Sequence, residues 1–258
     1  MQYKKIQPNK ALNSVVDHFW FFQVEKSDLP FQQTLFPFGR FELFFELNGG
    51  YKVFFSGHLK STETIRYTQP FKAVGVSLNA WSADFLMKIP VVDFSTKTTD
   101  LSDIYEYRDL SDLLHSAQNE VEIISVLEEN LLHKIKNYQT DPISLLIANQ
   151  IKSNTSLALN QFDFSKIGLS RRRVEQKFLT HTGVSMGKYL NLSRFEKALT
   201  ILEKGSPTAL TEIGLDLGYY DQSHFIRKFK NYAGVAPKQF ALQYAQIEEH
   251  SIRDLMFM

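Results

Sequence analysis

The sequence predicts an α+β protein of two domains. A small N-terminal β-barrel or sandwich with following helices precedes an all-α C-terminal domain, in which two helix-turn-helix motifs are joined by a long helix. Three observations carry this. Apolar residues alternate in step with a strand over 41–47, ahead of an Asn-Gly-Gly turn. Beyond residue 84 the periodicity becomes helical. Between residues 170 and 240 the chain repeats itself at an offset of 51 residues.

A length of 258 residues suits two domains of roughly 100–200 residues each. Hydrophobic content of 43% and charged content of 22% are those of a globular chain. The absence of cysteine excludes disulfides, thiolate metal sites and cysteine nucleophiles, and it suits a reducing compartment. Residues 1–10 are polar, and no later apolar run approaches the ~18 residues of a membrane span. The expectation is a soluble, cytoplasmic protein. Its net charge of +1 is unevenly spread. Residues 1–141 carry 14 Lys/Arg against 18 Asp/Glu, and residues 142–258 carry 15 against 10. Over 166–240 the balance is 13 against 6, an excess of seven positive charges. A concentrated excess of this kind fits a polyanion-binding domain, since phosphate neutralisation supplies most non-specific affinity. Taken alone, the charge fits a plain basic surface equally well.

In the N-terminal part, 12 of the 22 Phe lie within the first 80 residues. Phe41, Leu43, Phe45 and Leu47 alternate with Glu42, Phe44 and Glu46, which is strand periodicity. Asn48-Gly49-Gly50 offers a hairpin turn, 51–55 the returning strand, and 73–78 a further strand. Glu42 and Glu46 read as surface carboxylates, and the Phe side chains as core rather than pocket lining. Helices are expected over 84–137. Among them 120–136 places Val121, Ile124, Leu127 (or Glu128), Leu131 and Ile135 on one stripe. The domain boundary is placed at 141/142, where Asp141 caps a helix opening with Pro142.

In the C-terminal part, Phe178-x4-Gly183-Val184 recurs as Phe229-x4-Gly234-Val235. At the same offset Ser170 meets Asp221, Val174 meets Phe225, Met186 meets Pro237 and Tyr189 meets Phe240. Each copy thus holds a polar cap, apolar residues four apart, a Gly-Val turn and a second helix. The helix-turn-helix units fall at about 156–180 and 208–232. In the second, a helix over 210–217 leads through Gly218 to a helix capped by Asp221. With Phe225 and Phe229 inward, Ser223, His224, Arg227 and Asn231 face out. Gln222 stands at the N-terminal end, which usually enters the groove. In the first, Val174 and Phe178 face inward, while Arg172, Arg173, Gln176 and Thr180 face out. Arginines at a helix start oppose its dipole, which suits an approach to phosphates better than a structural role. A helix over 186–204, stopped by Gly205, joins the units.

Residues 142–240 resemble the DNA-binding domain of the AraC/XylS regulators. The similarity rests on Gly218-Tyr-Tyr-Asp-Gln-Ser-His-Phe-Ile-Arg-Lys-Phe-Lys230 and on Gly234-Val-Ala-Pro-Lys-Gln-Phe240. The resemblance implies base contacts from Arg172, Glu175 and Gln176 in the first unit and from Gln222, Ser223, His224 and Arg227 in the second. Arg171, Arg173, Lys228 and Lys230 are expected on phosphates. Two departures stand out: Gln176 occupies a place that is usually Arg, and Asp163 and Phe164 replace a small apolar residue. The run Thr34-Leu-Phe-Pro-Phe-Gly-Arg-Phe-Glu-Leu-Phe-Phe45, with Ser56-Gly57 and Val74-Gly-Val-Ser-Leu78, is similar to the sensor half of such regulators. It implies a cupin-like barrel with room for a small effector.

The seven histidines show no metal-ligand spacing, and His58 in Ser-Gly-His reads as a turn residue. No catalytic residue, metal site or cofactor is expected. The partners expected are double-stranded DNA, a small-molecule effector, RNA polymerase and a second copy of the chain, with no membrane. Two other readings stay open at this point: a cupin-type enzyme with an accessory DNA module, and a regulator whose N-terminal domain only dimerises.

Overall fold

A computed structural model describes all residues except 83–90, 92–97, 137, 139, 165–166, 205–208 and 246–258. The stop expected at Gly205 and most of the stretch 84–97 lie outside the described residues. Among the described residues the N-terminal part holds eight strands: β1 (Gln2–Ile6), β2 (Val16–Val24), β3 (Phe31–Leu35), β4 (Arg40–Glu46), β5 (Val53–Ser56), β6 (Glu63–Tyr67), β7 (Phe71–Asn79) and β8 (Thr98–Asp100). Two helices follow, α1 (Tyr105–Ser116) and α2 (Glu120–Ile135). Strand β8 therefore falls inside the stretch expected to be helical.

The strands form two sheets rather than one closed barrel. Six make an antiparallel sheet in the order β1-β2-β7-β4-β5-β8, and β3 and β6 pair only with each other. The large sheet is therefore left with two edges, β1 and β8. Alternation along β4 explains both faces. Phe41, Leu43 and Phe45 point into the core shared with α1 and α2, where Leu110, Leu114, Leu127 and Leu131 cover them. Glu42 and Phe44 point the other way, toward the β3–β6 ribbon. Tyr67 of that ribbon packs edge-on to Phe22 of β2, with centroids 5.4 Å apart. Trp20 lies across β7 where Gly75 leaves room. A Cβ at Gly75 would come within 2.0 Å of the indole, so no other residue fits there.

The hairpin at 48–50 forms as the sequence predicts, with Phe45 opposite Val53. The stripe expected on α2 is corrected: Val121 is exposed, and Ile123 takes the inward place with Leu127 and Leu131. The Asn119 side chain accepts from the Glu122 amide and fixes the first turn, which sets that phase.

The C-terminal part is helical: α3 (Pro142–Ser153), α4 (Arg171–Thr182), α5 (Met186–Glu203), α6 (Leu210–Asp216), α7 (Gln222–Ala233) and α8 (Pro237–Ala245). Its two cores each take in residues of the N-terminal part. Ala80 and Trp81 pack with Ile147, Ile151, Val174 and Phe178. Phe36 and Phe38 pack with Phe195, Phe225, Phe229 and Phe240. The segment between β3 and β4 thus fills part of the core of the second helix-turn-helix.

Candidate nucleic-acid interface

The duplication seen in the sequence is a duplication of backbone geometry. Helices α4 and α7 are each 12 residues long and begin 51 residues apart. Each ends on a glycine in the left-handed region, Gly183 at φ 69° and Gly234 at φ 77°, where a side chain would strain the turn. Each is followed by a further helix, α5 or α8. The inward positions coincide as well: Val174 and Phe178 in one, Phe225 and Phe229 in the other, all buried. The outward positions are therefore equivalent in pairs, with Arg172 matching Ser223, Arg173 matching His224, and Gln176 matching Arg227.

The two supports differ. In the second unit α6 crosses α7 closely at Gly214, where an added Cβ would meet the Phe225 Cβ at 3.0 Å. The Asp221 carboxylate caps α7 by accepting from the His224 amide at 2.6 Å. In the first unit Leu159–Gln161 form a 3-10 turn, and Phe162, Asp163 and Phe164 after it belong to no helix or strand. The Ser170 side chain makes no capping bond.

The proposed contact residues take the following places. Arg172, Gln176, Gln222, Ser223 and Arg227 are exposed, and so are Arg171, Arg173 and Lys230. Glu175, His224 and Lys228 are half-buried. Glu175 is held by Arg171, whose Nε donates to Oε1 at 2.8 Å, one turn away. The His224 Nδ1 faces the Tyr220 amide at 3.4 Å. Burial, then the charges of Arg227 and Lys228, hold the His224 imidazole below its ordinary pKa.

Two residues of the site escaped the sequence reading. Tyr220 is 87% exposed in the turn just before α7, beside Ser223, His224 and Arg227. An aromatic pair at a turn position was the available signal. Arg194 of α5 is buried; its Nε donates to the Thr155 carbonyl at 2.7 Å and its guanidinium lies 5.5 Å from the Tyr219 ring centroid. It ties the entry of the first unit to the turn of the second. Among the described residues no group of three or more His, Asp or Glu is placed to hold a metal ion.

Residues 165–243 match the family described as a helix-turn-helix domain. An uncharacterized HTH-type transcriptional regulator of Haemophilus influenzae is 33% identical over 72 residues, 28% of this chain and 24% of that protein. The transcriptional activator AggR of Escherichia coli is 28% identical over 134 residues, 51% of this chain and 46% of AggR. Residues 165–243 form a helix-turn-helix domain.

The chain spans from about a quarter to under half of the length of these relatives. ToxT from Vibrio cholerae, a solved structure, aligns over 95% of this chain and 99% of its own at 11% identity, with a TM-score of 0.47. Residues 4–100 match a family described as a domain of unknown function. Within this domain α5 joins α4 and α7 over 18 residues, roughly 27 Å at 1.5 Å per residue. Tyr189, Leu192, Phe195 and Leu199 of α5 are fully buried, so the connection is a packed strut.

Proposed function

We propose that this protein is a cytoplasmic, sequence-specific DNA-binding transcription regulator. Residues 142–258 bind double-stranded DNA, and residues 1–141 form the sensor that a small effector controls. One observation carries the reading: two helices of one backbone design, on a packed strut, expose equivalent rows of arginine, amide and hydroxyl groups. That chemistry reads base edges, with arginine on guanine and the amides and hydroxyls adaptable. Arg172, Glu175 and Gln176 contact bases from the first unit, and Gln222, Ser223, His224 and Arg227 from the second. Arg171, Arg173, Lys228 and Lys230 contact phosphates.

A strut of roughly 27 Å suits helices near successive major grooves, about 34 Å apart on one face of the duplex. The protein acts through DNA, RNA polymerase and a second copy of itself, and not as an enzyme. Among the described residues no helix is long and apolar enough to cross a membrane. The N-terminal strands keep the role of a cupin-like sensor although they form two sheets. The test is duplex binding by the full chain as a function of salt. About six phosphate contacts give a log–log slope near −5. A slope near zero, or no binding at low salt, refutes the reading.

A further inference from the structure

A cavity of about 260 Å³ lies between the large sheet and the β3–β6 ribbon. Trp20, Phe22 and Phe44 of the large sheet, Tyr67 of the ribbon, and Phe36 and Phe38 are among the residues that line it. Its volume is just below the usual range for small-molecule sites, about 300–1,000 Å³. The polar groups are few and unequal in sign. Glu42, expected on the surface, faces this cavity with its carboxylate partly accessible. Its Oε2 accepts from Trp20 Nε1 at 2.9 Å and from Ser77 Oγ at 2.7 Å. Both donors leave carboxylate lone pairs over.

Arg40 is the cation of the cavity wall, and three carboxylates already surround it. Its guanidinium lies 3.1 Å from Glu196, 3.2 Å from Asp17 and 3.8 Å from Glu42. Lys152 adds a second cation, 3.9 Å from Asp17, and His18 Nδ1 lies 2.8 Å from that same carboxylate. The lysine and the arginine near the cavity are therefore already held by carboxylates. An anionic ligand would meet Glu42 and an arginine whose charge is committed elsewhere. A neutral apolar ligand would strip the remaining water from the Glu42 carboxylate and supply no new partner for its free lone pairs, which is costly. A cation offsets the carboxylate and is attracted by the faces of the surrounding rings, indole most strongly.

We propose that this cavity binds a small aromatic or aliphatic amine, with the ammonium group at Glu42 and the apolar body among the rings. Filling it alters DNA binding by the second helix-turn-helix, because the same Phe36 and Phe38 side chains belong to that unit's core. The Phe36 ring lies 6.1 Å from Phe195 and 6.0 Å from Phe240, centroid to centroid. The Arg40–Glu196 ion pair makes a second link, from the cavity wall to α5. The proposal rests on the sensor reading of residues 1–141, and it adds the ligand class and the route.

Three probes of one skeleton test it on the full chain: phenethylamine, 2-phenylethanol and phenylacetate, titrated against tryptophan fluorescence without DNA. Trp20 lines the cavity, so occupancy is visible directly. The amine is expected to saturate and to bind about tenfold or more tighter than phenylacetate. Glu42→Gln, which still accepts from Trp20 and Ser77, should bring the amine to the level of the alcohol and leave the alcohol unchanged. Phenylacetate binding as tightly as the amine, no saturable binding by any probe, or no effect of Glu42→Gln on the amine overturns the ligand class. The wild-type series decides this even if the variant fails to fold. With the amine saturating, DNA affinity of the full chain should change about threefold or more, and an unchanged affinity overturns the route. A chain that binds no DNA at all refutes the regulator reading instead, and the fluorescence series still decides the cavity.

Discussion

The imidazole of His58, in the turn after β5, places its Nε2 2.9 Å from the carbonyl oxygen of Thr182, the last residue of α4. Its Nδ1 lies 3.2 Å from the Phe38 carbonyl, and the ring is buried against Phe41. The expected turn residue is therefore a staple between the N-terminal strands and α4.

Burial pushes the His58 pKa down to about 4, against the pull of the carbonyls it faces, and nearby Lys188 adds to the effect. The unfolded chain takes up this proton near pH 6.5, whereas the folded chain holds out to about pH 4. The His58 contribution is thus complete above pH 6.5 and is lost as pH falls toward 4, at up to about 1.4 kcal/mol per pH unit. Asp17, also depressed, loses its contribution only below the usual carboxylate range, outside this window. Urea unfolding at pH 7, 6 and 5 should show a steeper decline for the wild type than for His58→Gln. Equal declines would contradict the staple as described.

Phe36→Ala should weaken the second helix-turn-helix although Phe36 lies far from it in sequence. Removing a buried Phe costs about 3–5 kcal/mol. Hydrogen exchange should accelerate in α6, α7 and α8 as well as in the β3–β6 ribbon. Faster exchange in the ribbon alone would mean that Phe36 does not support the recognition helix.

Arg227→Ala should cost about 1–3 kcal/mol on a preferred site and relax discrimination at one base. Arg171→Ala should weaken all sequences about equally and flatten the salt slope by about one. The structure adds a contribution here, because Arg171 also holds Glu175, and its loss leaves that carboxylate facing the phosphates. Gel-shift titrations on matched and mismatched duplexes separate the two effects. Indistinguishable profiles would mean that the helix faces are wrongly assigned.

The helical repeat was legible because both copies obey one local constraint. Two inward apolar residues one turn apart and a left-handed glycine recur with the same spacing in each. The alternation along β4 was legible for a similar reason, since strand geometry alone sets it. What the sequence hid was non-local. Phe36 and Phe38 look like any strand-end aromatics until the second unit closes on them. Glu42 looks like a surface carboxylate until the ribbon covers its face of the sheet. His58 finds its partner 124 residues away. Sheet closure was equally hidden, because pairing of β3 with β6 depends on distant register and not on either strand's own pattern. Gly75 carries no signal of its own in the sequence, because only the Trp20 side chain lying across it explains its presence.

The most direct test of the account is selection of binding sites from random duplex DNA by the full-length chain, followed by substitution of each base pair in the selected site. Two short elements about one helical turn apart should emerge, as two recognition helices on one strut require. The element read by Gln222, Ser223, His224 and Arg227 should show the larger penalties, by about 1 kcal/mol or more per position. Its recognition helix is capped by Asp221 and supported by a regular α6, whereas α4 starts without a side-chain cap and presents mainly arginine, which positions more than it discriminates. Failure to enrich any sequence, or larger penalties opposite Arg172 and Gln176, would contradict it.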